Sequence, residues 1–141
     1  MVTDMQAVLD SHRNKLLRAL KHLEYSHARV ASLDTDLTHL SEQELAEWES
    51  YTARFARAAE IFLQRYLRTW VLMRDPGFSG SFRDFLNVGH KLGLIDSPET
   101  WLAIREMRNR MAHEYEDTRL KLLFEEVRSR TPFVLQLSAR I

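Results

Sequence analysis

The chain has 141 residues, twenty basic side chains balanced by twenty acidic ones, and no cysteine. That length holds one domain with a real core, residues 1–141, and leaves little room for a second. The charge balance excludes a global cationic field for nucleic acid, so any RNA contact has to be local, and the missing thiols exclude a disulfide framework or thiolate metal site.

With four glycines, three prolines and little strand-like alternation, the composition points to an all-α protein. Asp4 and Asp10 interrupt the early apolar residues, which does not fit a signal peptide, and no stretch is apolar for long enough to span a bilayer. A cytoplasmic location is expected. In chain order, Asp4 to Ser32 reads as one long helix, with Leu9, Leu16, Leu20, Leu23 and Val30 recurring at three-, four- and seven-residue steps. Asp34-Thr35-Asp36 marks a turn. Ser41-x-x-Glu44 is a capping-box pattern that opens a second long helix. Its stripe is Trp48, Phe55, Ala59, Phe62, Tyr66 and Met73, and Asp75-Pro76-Gly77 ends it. A loop over Phe78–Gly80 precedes a shorter helix from Ser81 to Leu92, weakened at its end by Gly89 and Gly93. Ser97-Pro98-Glu99 combines an N-cap, a first-turn proline and an acid, and starts a fourth helix that carries Trp101 through Tyr115. A last helical stretch holds Leu120, Leu123, Phe124 and Val127, and Pro132 is expected to kink or break it before Phe133. Short loops make neighbouring helices antiparallel. The expected fold is an antiparallel up-and-down four-helix bundle with an additional C-terminal helix.

The densest polar chemistry lies in Arg108-Asn109-Arg110-Met111-Ala112-His113-Glu114-Tyr115. It supplies a fixed cation, a carboxamide, an imidazole of a type that titrates near neutrality, and a phenol. On a helix running to Tyr115, Trp101, Ile104, Arg108, Met111 and Tyr115 share one face. Asn109 and His113 share the next, where the amide can orient the ring. Arg108 and His113 stand ~140° apart on such a helix. A site using both then needs a distorted helix end or a second subunit. Taken singly, an arginine in an apolar stripe pairs with an acid on a neighbouring helix or carries its head to solvent.

The string resembles the R-x4-H-x-Y motif of the HEPN superfamily, in particular HepT-like ribonuclease toxins. The resemblance extends to residues 41–75 with Arg54-Phe55-x-Arg57-Ala58-x-Glu60, and to Leu86–Ile95 followed by Trp101-Leu102-x-Ile104-Arg105-x-Met107-Arg108. It implies a HEPN-like bundle and a homodimer whose two motifs form one composite site. The implied activity is metal-independent RNA cleavage, with Arg108, Asn109 and His113 as catalytic residues, and neither cofactor nor metal is called for. It further implies a type VII-like toxin–antitoxin pair. In such a pair a MntA-like minimal nucleotidyltransferase antitoxin adenylylates Tyr115, and tRNA or mRNA is the substrate. The alternative is a non-catalytic HEPN subunit that binds substrate for a nucleotidyltransferase.

Other candidates are plainer. Arg54, Arg57, Arg65 and Arg68 give the second helix a basic flank, a solvated face or a guide for RNA. Glu60 is placed to pair with one of them or with Arg108. His12, His22, His27, His39 and His90 show no metal-ligand spacing, and no phosphate-binding glycine loop or nucleophile elbow is present.

Overall fold

The computed structural model describes residues 4–111, 113 and 116–141, and every regular element among them is helical. The elements are α1 (Met5–Val30), α2 (Glu42–Glu60), a π-helical segment (Ile61–Tyr66), α3 (Leu67–Arg74), α4 (Phe82–Lys91), α5 (Pro98–Met111) and α6 (Asp117–Leu135). Short 3-10 turns at Leu37–His39 and Gln136–Ala139 complete the path. None of the helices is long and apolar enough to cross a membrane.

The helix starts are local chemistry. Asp4 accepts from the Ala7 N–H at 3.1 Å to open α1. Ser41 and Glu44 close a full capping box on α2, and Ser81 and Asp84 do the same on α4. Ser97 accepts from the Thr100 N–H at 3.2 Å with Pro98 in the first helical position of α5. Each such cap stabilises its helix by about 1 kcal/mol. Gly93 supplies the left-handed residue (φ 85°) that ends α4. Its N–H bonds to the His90 carbonyl and that of Leu94 to the Gly89 carbonyl, the two bonds of a Schellman cap.

α2, the π segment and α3 run as one helical path, with the hydrogen-bond register widened over Ile61–Tyr66. The buried residues explain the widening. Ala58/Ala59, Phe62/Leu63, Tyr66/Leu67 and Trp70/Val71 recur every four residues. A four-residue step exceeds the α-helical turn, so on a pure α-helix the row would drift by about 40° per step. The wider π turn absorbs the excess and keeps all four pairs facing the core.

Leu9, Leu16, Leu20, Leu23 and Val30 of α1 are buried as the periodicity predicts, and α1 packs antiparallel to α2: Arg29 meets Glu47, and Ser26 meets Arg54. α6 enters the same core. Trp48 stacks on Phe124 at 4.7 Å between centroids and donates its indole N–H to the Asp34 carbonyl at 2.8 Å. Arg128 of α6 donates to the carbonyls of Val30 (3.2 Å) and Leu33 (2.9 Å), satisfying the end of α1. Two expectations are corrected here. Of the kink or break expected at Pro132, the break does not occur: α6 continues through it, with Val127, Thr131, Val134 and Leu137 buried on both sides and the proline ring exposed. α5 ends at Met111 rather than near Tyr115.

Candidate functional site

Arg108 lies on α5 between the buried Ile104 and Met107 and the half-buried Met111. Its apolar neighbours draw the side chain down, leaving it 23% exposed. Its Nε is buried and has no hydrogen-bond partner among the described residues. One terminal nitrogen sits 3.9 Å from the Glu60 carboxylate, a loose pairing, and the other donates to Asn109 Oδ1 at 3.3 Å. The pairing with Glu60 anticipated from the sequence is therefore present, and it is long.

Arg108 opens on a cleft of about 240 Å³ between the π segment, α3, α4 and α5. Leu63 and Phe82 line it with Gln64 and Glu60, and Arg68 and Arg105 bring two further guanidinium groups to it. Arg68 stacks over the Phe85 ring at 4.9 Å and Arg105 over Phe82 at 4.3 Å. These rings hold the cations in place without neutralising them. Arg105 was not singled out from the sequence as a site residue. The signal was its spacing, three residues before Arg108 on the same helix face.

His113 stands outside this frame. It lies exposed in a turn beyond α5, its backbone N–H donating to the Arg110 carbonyl at 2.9 Å. The helical offsets expected between Arg108, Asn109 and His113 assume a helix through position 113, and the helix stops at Met111. Asn109 accepts from Arg108 rather than holding the imidazole. Arg110, between them, ties α5 to α6 through Glu126 at 2.8 Å. Tyr115, with Ala112 and Glu114, lies outside the described residues.

A second polar cluster lies inside the core. Tyr51 Oη contacts Thr131 Oγ1 and His27 Nδ1, the latter at 2.9 Å, and Thr131 donates to the Val127 carbonyl at 2.7 Å. Every hydroxyl is satisfied if Tyr51 donates to Thr131 and the imidazole donates to Tyr51. Burial pushes the Tyr51 phenol up to about 12 against the opposing pull of the Thr131 bond, and burial next to Arg128 pulls the His27 imidazole below its ordinary range. The cluster joins α1, α2 and α6 through side chains that satisfy one another. Among the described residues no three His, Asp or Glu side chains gather as metal ligands.

Neither a protein-family model, nor a curated protein, nor a solved structure matches the chain. The functional reading therefore rests on the motif and on the chemistry of the cleft.

Proposed function

We propose that the protein is a HEPN-type endoribonuclease, the toxin of a toxin–antitoxin pair, with a HEPN-like helical bundle as its single domain. The observation that carries the reading is the Arg108 cleft. A chain of zero net charge concentrates three guanidinium groups around one carboxylate there, on the helix that leads into His113. This is the local cationic site that RNA binding requires of a neutral protein.

The reaction uses the RNA's own 2′-hydroxyl. A base removes its proton, the oxygen attacks the adjacent phosphorus, and the 5′-oxygen leaves with a proton from an acid. The products are a 2′,3′-cyclic phosphate and a 5′-hydroxyl. The Arg108 guanidinium, which lines the cleft, suits the charge that builds on the phosphorane. His113, exposed at the helix end, suits proton transfer. Asn109 then positions Arg108 rather than the imidazole. One chain offers a single motif histidine, whereas base and acid call for two groups. A homodimer with the two α5 ends face to face supplies both. A minimal nucleotidyltransferase antitoxin would silence the site by placing AMP on Tyr115, adding bulk and negative charge against the phosphate.

The non-catalytic reading draws on one observation: Glu60 lies close enough to Arg108 to offset part of its charge. Expression in a bacterial host separates the two. The ribonuclease reading predicts growth arrest by the wild type, relief by His113→Ala, and an AMP mass increment on Tyr115 after co-expression with such a nucleotidyltransferase. Equal growth with wild type and His113→Ala, at equal protein levels, would favour the substrate-binding subunit.

A further inference from the structure

The π segment does more than keep the core pairs aligned. The four-residue repeat that holds Ala58/Ala59, Phe62/Leu63 and Tyr66/Leu67 inward also sorts the polar residues between them into two rows. Glu60, Gln64 and Arg68 border the Arg108 cleft. Arg57, Ile61 and Arg65 border a separate groove of about 410 Å³ against α1. Across that groove stand Lys15, Arg18 and His22, with Ala19 on its floor. Glu60 lines both cavities, so it forms the ridge between them.

The groove is as basic as the cleft. Lys15, Arg18, Arg57 and Arg65 surround it with Glu60 as the sole carboxylate among its lining residues. None of these four cations enters an ion pair among the described residues, whereas Arg13, Arg29, Arg83, Arg110 and Arg140 are each matched with a carboxylate. What sets the groove apart is that four such cations gather around a single carboxylate. Like charges gathered without counter-charges cost stability, and an anion in the groove removes that cost. The positive field is visible at neighbouring His12. Burial, then Arg65 and Lys15, pull its pKa below the ordinary value, and its Nδ1 is buried with no partner among the described residues.

We propose that the groove between α1 and the π-containing helix binds the phosphate backbone of single-stranded RNA, as a continuation of the Arg108 cleft across Glu60. A lone phosphate needs one cavity. Two adjoining cavities lined by rows of cations suit a chain of regularly spaced phosphates. Arginines predominate, and their planar forks match phosphate oxygens. The choice of RNA over another polyanion rests on the ribonuclease reading, while the groove's preference for a phosphate chain does not. The strand would run along roughly 15 Å of helix between Arg57 and Arg68, given the rise per residue.

The test is fluorescence anisotropy on a labelled 2′-O-methyl single strand, which lacks the attacking hydroxyl, so binding is read apart from cleavage. Arg57→Glu with Arg65→Glu should weaken binding by about tenfold or more and flatten the salt slope by about 1.4, the share of two phosphate contacts. Arg57→Gln with Arg65→Gln should act in the same direction and more weakly. Arg83→Glu with Lys91→Glu makes the same change in net charge on α4 and should leave affinity near that of the wild type. Circular dichroism confirms folding of each variant. An equal loss from the groove and α4 pairs would overturn the proposal, as would polyglutamate competing as well as RNA, or wild type failing to bind. A protein that loses binding through the groove yet cuts no RNA sinks the ribonuclease reading and keeps the groove. A protein that cuts RNA while ignoring groove charge does the reverse.

Discussion

Two polar regions of this protein are built on opposite terms. Around Tyr51 the groups are deep and mutually satisfied: a phenol, a hydroxyl, an imidazole and a backbone carbonyl account for one another between α1, α2 and α6. Around Arg108 the partners are loose. Its carboxylate neighbour is 3.9 Å away, its Nε has no partner among the described residues, and two more guanidinium groups share the cleft. A buried donor left unsatisfied costs on the order of 1–3 kcal/mol. On the proposed ribonuclease reading, the loosely paired cluster is the one that meets a phosphate. Stability should therefore be concentrated near Trp48 and Tyr51, and function near Arg108.

The largest effect should come from breaking the closed region. Trp48 is fully buried, stacked on Phe124 and bonded to Asp34. Trp48→Ala should cost about 3–5 kcal/mol, read as a lower urea midpoint. A loss below about 1 kcal/mol would mean that the α2–α6 contact contributes little to the core.

A smaller effect follows from protonation. His27 binds its proton more weakly folded than unfolded, owing first to burial and then to Arg128. The unfolded chain takes up more protons as pH falls through the ordinary histidine range near about 6.5. This contribution to stability is present above that range and lost as pH falls through it. His12 acts in the same sense. His39, raised first by its hydrogen bond to Asp34, acts oppositely but is fully exposed, so its weight is small. Urea midpoints should therefore drop between about pH 7 and 5, and His27→Gln should flatten that slope. Identical slopes in the two proteins would remove His27 from the account.

The smallest effect probes the open region. Glu60→Gln removes the carboxylate shared by both cavities. Affinity for single-stranded RNA should rise by roughly two- to fivefold, the size of one screened surface charge, with stability unchanged because Glu60 is exposed. Weaker RNA binding would show that Glu60 orders Arg108 rather than opposing the phosphate.

The all-helical class and most helix starts were legible because they are written locally. Ser41, Ser81 and Ser97 each carry their cap within four residues, and the buried leucines of α1 repeat as a helix requires. The π segment was legible in principle, as four-residue steps over Ala58–Val71, but stripe-matching at 3.6 residues passes over it. The end of α5 was not legible, since Ala112-His113-Glu114 contains no glycine or proline to stop a helix. The cleft was only half legible. Arg108 and Glu60 were candidates and Arg105 lay within reach of the same spacing, but Phe82 joins them through packing between helices, which no local pattern encodes.

The most direct measurement is RNA cleavage by purified wild type and His113→Ala, with unfolding followed on the same samples. His113 is exposed, so stability should stay within about 0.5 kcal/mol. Cleavage to 2′,3′-cyclic phosphate ends should fall by about 10²–10⁴-fold. Equal cleavage by both proteins, or a loss of activity matched by a loss of fold, would contradict the assignment of proton transfer to His113.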